Sequence, residues 1–412
     1  MAEFSDYSWL TGAEAARVLA DAVRDDRPLH QRLASLRGVI GPVRAGLVVE
    51  LVEQRARGAE KFGPLAERLF GTRTQWEQAT DAWIARYKAA RFATAGSGPV
   101  EDFCTGMGGD LVALAERRAT TGWDLSEAAV AFAEANLAAV GAERGAVRQG
   151  DVEDCTPDVH GAWHVDPDRR VDGRRSTTPE LHSPTPATID RWLAPCPPGA
   201  LKLAPATRPL VAWIERAEWE WISRGRECRQ LVAWFGDLRT SAGGGEGAAR
   251  RATRVVPRAG VDSALESYDH ELASFAASPQ SAENVVDAPR QFVFEPDPAL
   301  IAAELVGAMA NERGLATLGP GSVYLTGDKA IASPLLAAFE VEEEVPLRTA
   351  AVASRLAERR VGVVEVKVRG VAHSPEQFRR ALKLRGENTA TVFLTRIGRR
   401  ETALIARRVP SD

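Results

Sequence analysis

The chain has 412 residues, enough for two or three domains, and its 45% hydrophobic and 26% charged residues are those of an ordinary globular protein. The formal net charge of -4 is close to neutral for this length and indicates no particular partner. The four cysteines include no C-x-x-C pair, which argues against a disulfide framework and a zinc site and favours a reducing cytoplasm. No apolar run approaches the length of a membrane span, and the acidic first residues lack the pattern of a signal peptide. We therefore expect a cytoplasmic protein with neither a membrane nor a metal as partner.

Residues 1–95 are predicted to form a helical domain. Apolar residues recur at helical spacing in four segments: 13–23, 29–36, 43–52 and 76–92. Thr74 is predicted to cap the last of these helices, with Glu77 closing a capping box. The aromatic residues of that helix are expected in the core. Three of its basic residues are alternative candidates for the rim of a substrate cleft: Arg86, Lys88 and Arg91.

A glycine-rich turn follows the first predicted strand, in the run Val-Glu-Asp-Phe-Cys-Thr-Gly-Met-Gly-Gly-Asp of residues 100–110. Gly106, Gly108 and Gly109 remove side chains where the backbone must turn sharply and approach a ligand. Asp110 then begins a predicted helix whose N-terminus points at the turn. Because nucleotides bind at such turns in open α/β sheets, the pattern predicts a nucleotide site.

Acidic residues end the strands that follow. Asp124 closes the second predicted strand, about 20 residues after the turn, where nucleotide folds place a carboxylate for the ribose hydroxyls. Asp151 ends the third predicted strand, 147–151, and Asp166 lies at the end of the fourth. A fifth strand with Lys202 and a hairpin across 224–226 are predicted to complete the sheet.

Together, the glycine turn and the strand-end acids resemble the class I methyltransferases that use S-adenosylmethionine, over roughly residues 95–235. The resemblance implies an α/β fold with a Rossmann-like sheet. It also implies that the turn lies under the methionine part of the cofactor, that Asp124 accepts the ribose hydroxyls and that Asp151 lies near the adenine amino group. The expected cofactor-binding residues are Asp102, Cys104, Gly106, Gly108, Gly109, Asp110, Asp124 and Asp151.

Two other interpretations of the turn stay open. An NAD-binding G-x-G-x-x-G motif is the weaker one, because its third glycine would stand at Leu111. The extra Gly109-Asp110 instead resembles the variant found in RNA and cap-guanosine methyltransferases. A copy of the fold with a purely structural role is the second alternative.

The residues after the fourth strand supply the predicted catalytic group. Methyltransferases that act on amino groups of nucleic acids carry Asp/Asn-Pro-Pro-aromatic here, and this chain keeps Asp166 and Pro167 but has Asp168 and Arg169 next. A guanidinium plane can also stack on a base. We expect Asp166, with the Pro167 carbonyl, to orient the nucleophile, and Asp168 is the second candidate, as general base. No cysteine is placed for attack on a pyrimidine, which favours nitrogen or oxygen as the methylated atom.

Arginines cluster directly after this motif, at Arg169, Arg170, Arg174 and Arg175. Beside an active site they would suit phosphate groups. A solvated loop with internal ion pairs is an equally favoured interpretation.

Charge separates in the C-terminal part of the chain. A Gly/Ser-rich run at 240–246 marks a predicted domain boundary, and residues 240–347 carry 16 Asp/Glu against 7 Lys/Arg. Residues 348–412 reverse this balance, with 15 Lys/Arg against 6 Asp/Glu. The favoured partner of this basic tail is a polyanion. The alternative is that ion pairs with the acidic part neutralise the tail.

The basic tail is predicted to fold in the order α-β-α-β-β. This order, with Lys367-Val368-Arg369-Gly370 and Leu382-Lys383-Leu384-Arg385-Gly386, resembles the THUMP-like domain of predicted RNA methyltransferases of bacteria. The resemblance extends over nearly the full chain and implies structured RNA, rRNA or tRNA, as substrate. The expected RNA contacts are Arg169, Arg170, Lys202, Lys367, Arg369, Lys383 and Arg385.

We therefore predict four domains. They are a helical domain over 1–95, a class I methyltransferase domain over 96–239, an acidic α+β linker domain over 240–347 and the basic THUMP-like domain over 348–412. The predicted function is methyl transfer from S-adenosylmethionine to a nucleotide of structured RNA. A non-catalytic RNA-binding scaffold and a small-molecule methyltransferase stay open as alternatives.

Overall fold

A computed structural model describes residues 2–168, 170–171, 174–175, 178–195, 198–240, 250–258 and 268–410. Of residues 170, 171, 174, 175 and 180 it describes only the backbone. The chain divides into two compact units. The first comprises 1–219, 230–241 and 255–271, and the second comprises 220–229, 242–254 and 272–412.

The helices of the N-terminal part are α1 (Phe4–Thr11), α2 (Ala13–Arg24), α3 (Leu29–Ile40), α4 (Pro42–Phe62), α5 (Arg73–Gln78) and α6 (Ala82–Thr94). Gly41, with a φ of 81°, lets the chain turn sharply into α4, and Pro42 suits the first position of that helix because it needs no amide hydrogen there. Within the ranges given above, no helix combines the length and apolar character that a membrane crossing requires.

The predicted helix over 76–92 is two helices rather than one. Thr72, not Thr74, caps α5, because its side chain accepts a hydrogen bond from the Gln75 amide while the Gln75 side chain accepts one from the Thr72 amide. Asp81 caps α6 by accepting hydrogen bonds from two amides of its first turn. The prediction was wrong because several short polar residues here suit an N-cap equally well, and a local pattern does not rank them.

The central part of the chain carries these elements: β1 (Val100–Phe103), α7 (Gly109–Ala115), β2 (Thr120–Asp124), α8 (Glu127–Val140), β3 (Gly145–Gln149), β4 (Ala162–Val165), β5 (Arg170–Val171), β6 (Arg174–Arg175), α9 (Pro186–Leu193), β7 (Gly199–Leu203), β8 (Ala217–Arg224), β9 (Glu227–Phe235), β10 (Arg250–Pro257) and β11 (His270–Ala277). Nine of these strands form one sheet in the order β11-β10-β8-β9-β7-β4-β1-β2-β3, and β5 pairs with β6 separately.

The strand order confirms the predicted Rossmann-like α/β sheet. Strand β1 pairs in parallel with both β2 and β4, the parallel pairing continues to β3 and β7, and β9 runs antiparallel to β7. The third strand ends at Gln149, so Asp151 follows it rather than ending it. Strands β2 and β3 lie on one side of β1, and β4 and β7 lie on the other. In sheets with such a switch point, ligands bind at the carboxyl ends of the strands beside it.

The N-terminal helices pack against the helices of the sheet. The fully buried Asn136 of α8 accepts a hydrogen bond from the Phe70 amide at 2.7 Å and donates to the carbonyls of Phe70 and Met107 at 2.9 and 2.7 Å. Tyr7 of α1 meets Phe132 of α8 edge to face, with ring centroids 5.4 Å apart. The segment before α5 is thereby fixed against the glycine turn.

The second unit also contains these elements: β12 (Val285–Val286), β13 (Phe292–Pro296), α10 (Pro298–Ala302), α11 (Val306–Arg313), β14 (Ala316–Leu318), β15 (Leu325–Gly327), β16 (Leu336–Pro346), α12 (Thr349–Glu358), β17 (Val361–Arg369), α13 (Pro375–Leu382), β18 (Asn388–Ile397) and β19 (Arg400–Arg408). Its strands form an eight-stranded sheet in the order β12-β14-β15-β13-β16-β19-β18-β17.

The order α12, β17, α13, β18 and β19 confirms the predicted α-β-α-β-β arrangement of the tail. Strands β17 and β18 are parallel and connected through α13, and β18 and β19 form an antiparallel hairpin. Strand β16 pairs with β19, so the acidic strand belongs to the same sheet as the basic tail.

Candidate active site

A cavity of about 790 Å³ lies where β1, β2 and β4 end. This volume suits a ligand of nucleoside size. The predicted residues that line it are Asp102, Cys104, Gly106, Gly109, Asp110, Asp124, Asp151, Asp166, Pro167 and Asp168. Gly108 is not part of the lining, and it precedes α7 as its N-cap residue. The structure thus brings predicted cofactor residues and predicted catalytic residues to one cavity.

The glycine turn has a backbone conformation that its composition predicts. Gly106 and Gly108 have φ values of 58° and 86°, a region that most side chains disfavour. Cys104 also has a positive φ, 57°, although it carries a side chain. Such conformations persist only where the surrounding structure holds them, and they are frequent at ligand sites.

Asp124 is held in place by two backbone amides. The Gly106 amide donates to Oδ2 and the Ser126 amide to Oδ1, each at 2.9 Å. Burial raises the pKa of Asp124, and the two amide hydrogen bonds oppose that rise. Each carboxylate oxygen keeps a further lone pair, so an anchored acceptor lines the cavity.

A network of buried ionisable side chains adjoins the cavity. Asp102 is 1% exposed and accepts hydrogen bonds from the Thr105 hydroxyl at 2.6 Å and from His164 Nδ1 at 2.7 Å. Lys88 of α6 is also 1% exposed, and its Nζ lies 2.9 Å from His164 Nε2 and 2.8 Å from Asp110 Oδ1. Because an ammonium only donates, His164 Nε2 accepts and Nδ1 carries the proton that it donates to Asp102. His164 is therefore neutral.

Charge pairing offsets the cost of burial in this network. Burial lowers the pKa of Lys88, and the Asp110 carboxylate opposes that change. Burial raises the pKa of Asp110, but the Lys88 ammonium, with a further contribution from the Lys202 ammonium, brings it below its usual range. The Thr80 hydroxyl donates to Asp110 Oδ2 at 2.5 Å. Asp110 is thus a carboxylate in the folded protein.

The basic residues of α6 do not lie on the rim of a cleft. Lys88 and Arg91 are both buried, and Arg91 donates to Glu218 at 2.6 Å. Arg86 is paired with Glu116 at 2.5 Å. The alternative placement was therefore wrong for Lys88 and Arg91, because the acids that neutralise them come from later parts of the sequence.

Asp166 follows β4 and is paired with a lysine of the neighbouring strand. Lys202 of β7 is 7% exposed, and its Nζ donates to Asp166 Oδ2. This ammonium, predicted as an RNA contact, is instead occupied by the candidate catalytic carboxylate. The backbone of Asp168 exchanges hydrogen bonds with that of Ser183 at 2.8 and 3.0 Å, which fixes the segment after Pro167.

Cys104 is a cysteine of the cavity lining. Burial raises the pKa of the Cys104 thiol, and the carboxylates of Asp124 and Asp166 raise it further. A protonated thiol is a poor nucleophile, in keeping with the expected nitrogen or oxygen target. Across the part of the chain that the structure describes, no group of three or more His, Cys, Asp or Glu side chains is arranged to hold a metal ion.

Several lining residues carry no motif and were not predicted. They come from the N-terminal helices, the N-cap of α5 and the segment between α5 and α6: Tyr7, Thr72, Thr74, Gln75, Gln78 and Thr80. His164 was also missed, although a signal existed. Residues two apart in a strand point to the same face, so the residue two before Asp166 was a candidate for the same cavity.

In the second unit, β16 neutralises part of the basic tail. Its glutamates form these ion pairs: Glu340 with Arg407, Glu342 and Glu343 with Arg359, Glu343 with Arg355, and Glu344 with Arg400. Lys367, a predicted RNA contact, is paired with Glu295 at 2.6 Å and with Glu365 at 3.0 Å. The alternative interpretation of the basic tail therefore applies to these residues.

The other predicted RNA contacts lie in different places. Arg169 is outside the described residues, and only the backbone of Arg170 is described. Arg369, Lys383 and Arg385 are exposed. Strands β17 and β18 start side by side, and Arg369 is the last residue of β17. Lys383 and Arg385 come just before β18 and therefore lie near the start of β17. Arg369 is about 25 Å away from them along the strand direction.

A basic patch surrounds the end of α13. Arg379 and Arg380 occupy the last turn of α13 and are exposed, and Lys383 and Arg385 follow directly. Among the described residues, none of these four side chains forms an ion pair. We call these four residues the α13 basic patch.

Comparison with known proteins agrees with both regions. Residues 336–408 match the family model described as THUMP domain-like. Over 369 residues the chain is 31% identical to an uncharacterized S-adenosylmethionine-dependent methyltransferase of Mycobacterium tuberculosis, in strains CDC 1551 / Oshkosh and ATCC 25618 / H37Rv, with 86% of this chain and 94% of the relative covered. Among solved structures, a candidate methyltransferase from Porphyromonas gingivalis W83 matches with a TM-score of 0.69 and 20% identity, over 96% of this chain and 99% of that one. The last similarity shows a shared fold over nearly the full length.

Proposed function

Because the chain belongs to the S-adenosylmethionine-dependent methyltransferases, we propose that it transfers the methyl group to a nucleotide of structured RNA, rRNA or tRNA, at a nitrogen or oxygen atom. The observation that carries the RNA part is the THUMP domain-like segment, which presents the α13 basic patch. Exposed cations that no acid neutralises are what phosphate groups require. The family membership also removes the NAD alternative.

The residues of the cavity fit S-adenosylmethionine. Its charged or titratable lining consists of aspartates, His164, Cys104 and Tyr7, with no lysine or arginine in the described lining, which suits a ligand with a sulfonium and an ammonium. Asp124, anchored by two amides, is proposed to accept the ribose hydroxyls, and Asp151 is proposed for the adenine end. Bound there, the cofactor supplies a methyl group whose leaving group needs no activation.

Asp166 is proposed to position the nucleophile. Lys202 holds its Oδ2, which orients the carboxylate and leaves Oδ1 to accept a hydrogen bond from the target amino or hydroxyl group. The Pro167 carbonyl supplies a second acceptor. Displacement at a methyl group depends mainly on alignment, so two fixed acceptors are a sufficient catalytic device. Asp168 is the second candidate, as general base.

The test is methyl transfer to defined RNA pools. Purified protein is incubated with S-adenosylmethionine that carries a labelled methyl group. One reaction contains total RNA from a strain in which the gene for this protein is deleted, and a second contains total RNA from the parental strain. Label is expected in RNA of the deletion strain and far less in parental RNA, whose sites already carry the methyl group. Label in neither RNA pool would overturn the RNA substrate.

The ion pairs of β16 favour one alternative, a methyltransferase of small molecules in which the basic tail has a structural role. Cofactor binding without any RNA affinity at low salt would select that alternative. RNA affinity without cofactor binding would instead select the scaffold.

A further inference from the structure

Lys88 is a buried lysine that the proposed transfer step does not use. It lies in α6, outside the sheet that carries the glycine turn, and its side chain is 1% exposed. An ammonium ion in the interior lowers stability unless nearby groups compensate for its lost hydration. A lysine retained in such a place therefore requires a reason.

The compensating group is a cavity residue. Lys88 Nζ lies 2.8 Å from Asp110 Oδ1, and Asp110 lines the cavity. This oxygen is itself buried, so the two opposite charges compensate for each other's lost hydration. The other oxygen of Asp110 is occupied by the Thr80 hydroxyl.

Lys88 also sets the state of the histidine. Its contact with Nε2 at 2.9 Å leaves His164 neutral, with its proton on Nδ1 toward Asp102. His164 Nε2 lies 3.8 Å from Asp110 Oδ2, so the imidazole stands between two carboxylates.

We propose that Lys88 is a positioning residue of the donor site, the buried counter-ion that holds Asp110 as a carboxylate beside His164, and that S-adenosylmethionine binding depends on its positive charge. The proposal rests on the assignment of the cavity to S-adenosylmethionine. It connects the N-terminal helices to the donor site, because α6 contributes the buried cation that pairs with the Asp110 carboxylate of the cavity.

A substitution that removes only the charge gives the proposal a distinctive signature. In Lys88→Met the network lacks one positive charge, and one proton taken up by His164 restores the wild-type total. Imidazole is the side chain that ordinarily changes charge between pH 5 and 8. The charged or titratable groups around Lys88 and His164 are Asp102, Asp110, Asp166 and Lys202.

The experiment is calorimetric titration of S-adenosylmethionine into the full chain at about pH 8 and about pH 6. The proteins are the wild type, Lys88→Met and a control, Arg86→Met. The control also removes a cation of α6, but the partner of Arg86 is Glu116, which is not in the cavity lining. At pH 8 we expect Lys88→Met to bind roughly 10- to 100-fold more weakly, by analogy with the loss of a residue that orients a metal ligand. Arg86→Met is expected to bind like the wild type.

The pH dependence separates this role from a loss of packing. The affinity of Lys88→Met relative to the wild type is expected to recover at pH 6, because the protonated imidazole replaces the missing charge. The double variant Lys88→Met/His164→Gln is expected to bind weakly at both pH values. A Lys88→Met affinity equal to that of the wild type, or a deficit that is the same at both pH values, would overturn the proposal.

A second variant covers the case in which Lys88→Met does not fold. Lys88→Met/Asp110→Asn removes both charges of the pair, which proteins often tolerate better than one unpaired charge. We expect it to fold, as judged by circular dichroism, and to bind weakly at both pH values. Wild-type affinity in this variant would overturn the proposal. A wild-type protein that does not bind S-adenosylmethionine would refute the cofactor assignment itself, and the proposal with it.

Discussion

The two units use ion pairs differently. Beside the cavity of the first unit, the side chains of Lys88 and Asp110 are 1% and 8% exposed. In the second unit, Arg360 and Glu387 form a pair whose side chains are 77% and 74% exposed. Removing one partner of a buried pair is costly because it leaves an uncompensated charge, whereas an exposed pair contributes roughly 0–1 kcal/mol.

This difference separates two uses of charge. The buried pairs fix carboxylates at one cavity, where a small error in position would matter. The exposed pairs cancel the charge of β16 against part of the basic tail and leave the α13 basic patch as a local feature. The net charge of the tail therefore overstates the surface available to RNA. The expected effects of mutation should follow the same division.

The largest effect is expected from Asp166→Ala. Loss of the acceptor that aligns the target should reduce transfer roughly 10²- to 10⁴-fold, the usual range for a positioned catalytic group. Affinity for S-adenosylmethionine should remain nearly unchanged. Single-turnover transfer of labelled methyl and calorimetry measure the two quantities, and Asp154→Ala, an exposed acid outside the cavity lining, is the control. Retention of most activity in Asp166→Ala would show that the catalytic assignment is wrong.

A smaller effect is expected from Asp124→Ala. Loss of an anchored carboxylate should weaken S-adenosylmethionine binding roughly 10- to 100-fold, equivalent to about 1.4–2.8 kcal/mol. Asp124→Asn keeps one acceptor oxygen and should lose less. Calorimetry measures both, with thermal unfolding to verify that the turn at Gly106 is intact. Unchanged affinity in the alanine variant would remove the proposed ribose contact.

Neutralising the exposed cations should have an intermediate effect on RNA and none on the cofactor. Arg379→Gln/Arg380→Gln should weaken RNA binding at low salt and reduce the slope of log affinity against log salt by about 1.4–1.8, corresponding to two phosphate contacts. The matched control is Arg396→Gln/Arg407→Gln, because those arginines are paired with Glu401 and Glu340. Equal losses in the two double variants would mean that exposure and pairing do not distinguish the RNA surface.

The smallest effect concerns the stability of the second unit. Burial acts to raise the pKa of Glu365, but hydrogen bonds with Arg408, Arg226 and Lys367 lower it by more. The pKa therefore falls from 4.5 to about 2. A carboxyl group with a lowered pKa stabilises the fold above pH 4.5, and that stabilisation is lost as the pH falls toward 2. Glu365→Gln should therefore lower the free energy of unfolding at pH 7 by about 1 kcal/mol, a figure reduced for solvent exposure.

Urea unfolding between pH 7 and pH 3 measures this difference, which should shrink as the pH falls. In about 1 M salt the difference at pH 7 should also shrink, because the partners are partly exposed. A difference that is constant with pH would assign the loss to packing rather than to charge.

Features with a local cause were predictable from the sequence. Ser126 caps α8 as expected, its side chain accepting a hydrogen bond from the Ala129 amide. The glycine turn adopts positive φ values at Gly106 and Gly108, and the α-β-α-β-β order of the tail follows from the alternation of helical and strand periodicity. Each of these patterns is complete within a short stretch of chain.

Partners that are distant in sequence were not predictable. His164 and Lys88 are 76 residues apart, and Lys202 is 36 residues from Asp166, which follows the neighbouring strand β4. A lysine in a helix is ordinarily exposed, so nothing local indicated that Lys88 would be buried. The pairs of β16 depend on its register with β19, which shifts between Val341 and Glu343 at a position that alternation alone does not reveal.

The most direct test of whether buried charges serve the cofactor and exposed charges serve RNA is a salt titration of binding by the wild-type protein. Binding of S-adenosylmethionine and of RNA from the deletion strain is measured between 50 and 200 mM salt. If the α13 basic patch contacts four phosphates, RNA affinity should fall roughly 50- to 150-fold over this range. The affinity for S-adenosylmethionine should hardly change, because buried pairs are screened much less. No RNA binding at 50 mM salt, or the same salt dependence for both ligands, would contradict the assignment of buried charges to the cofactor and exposed charges to RNA.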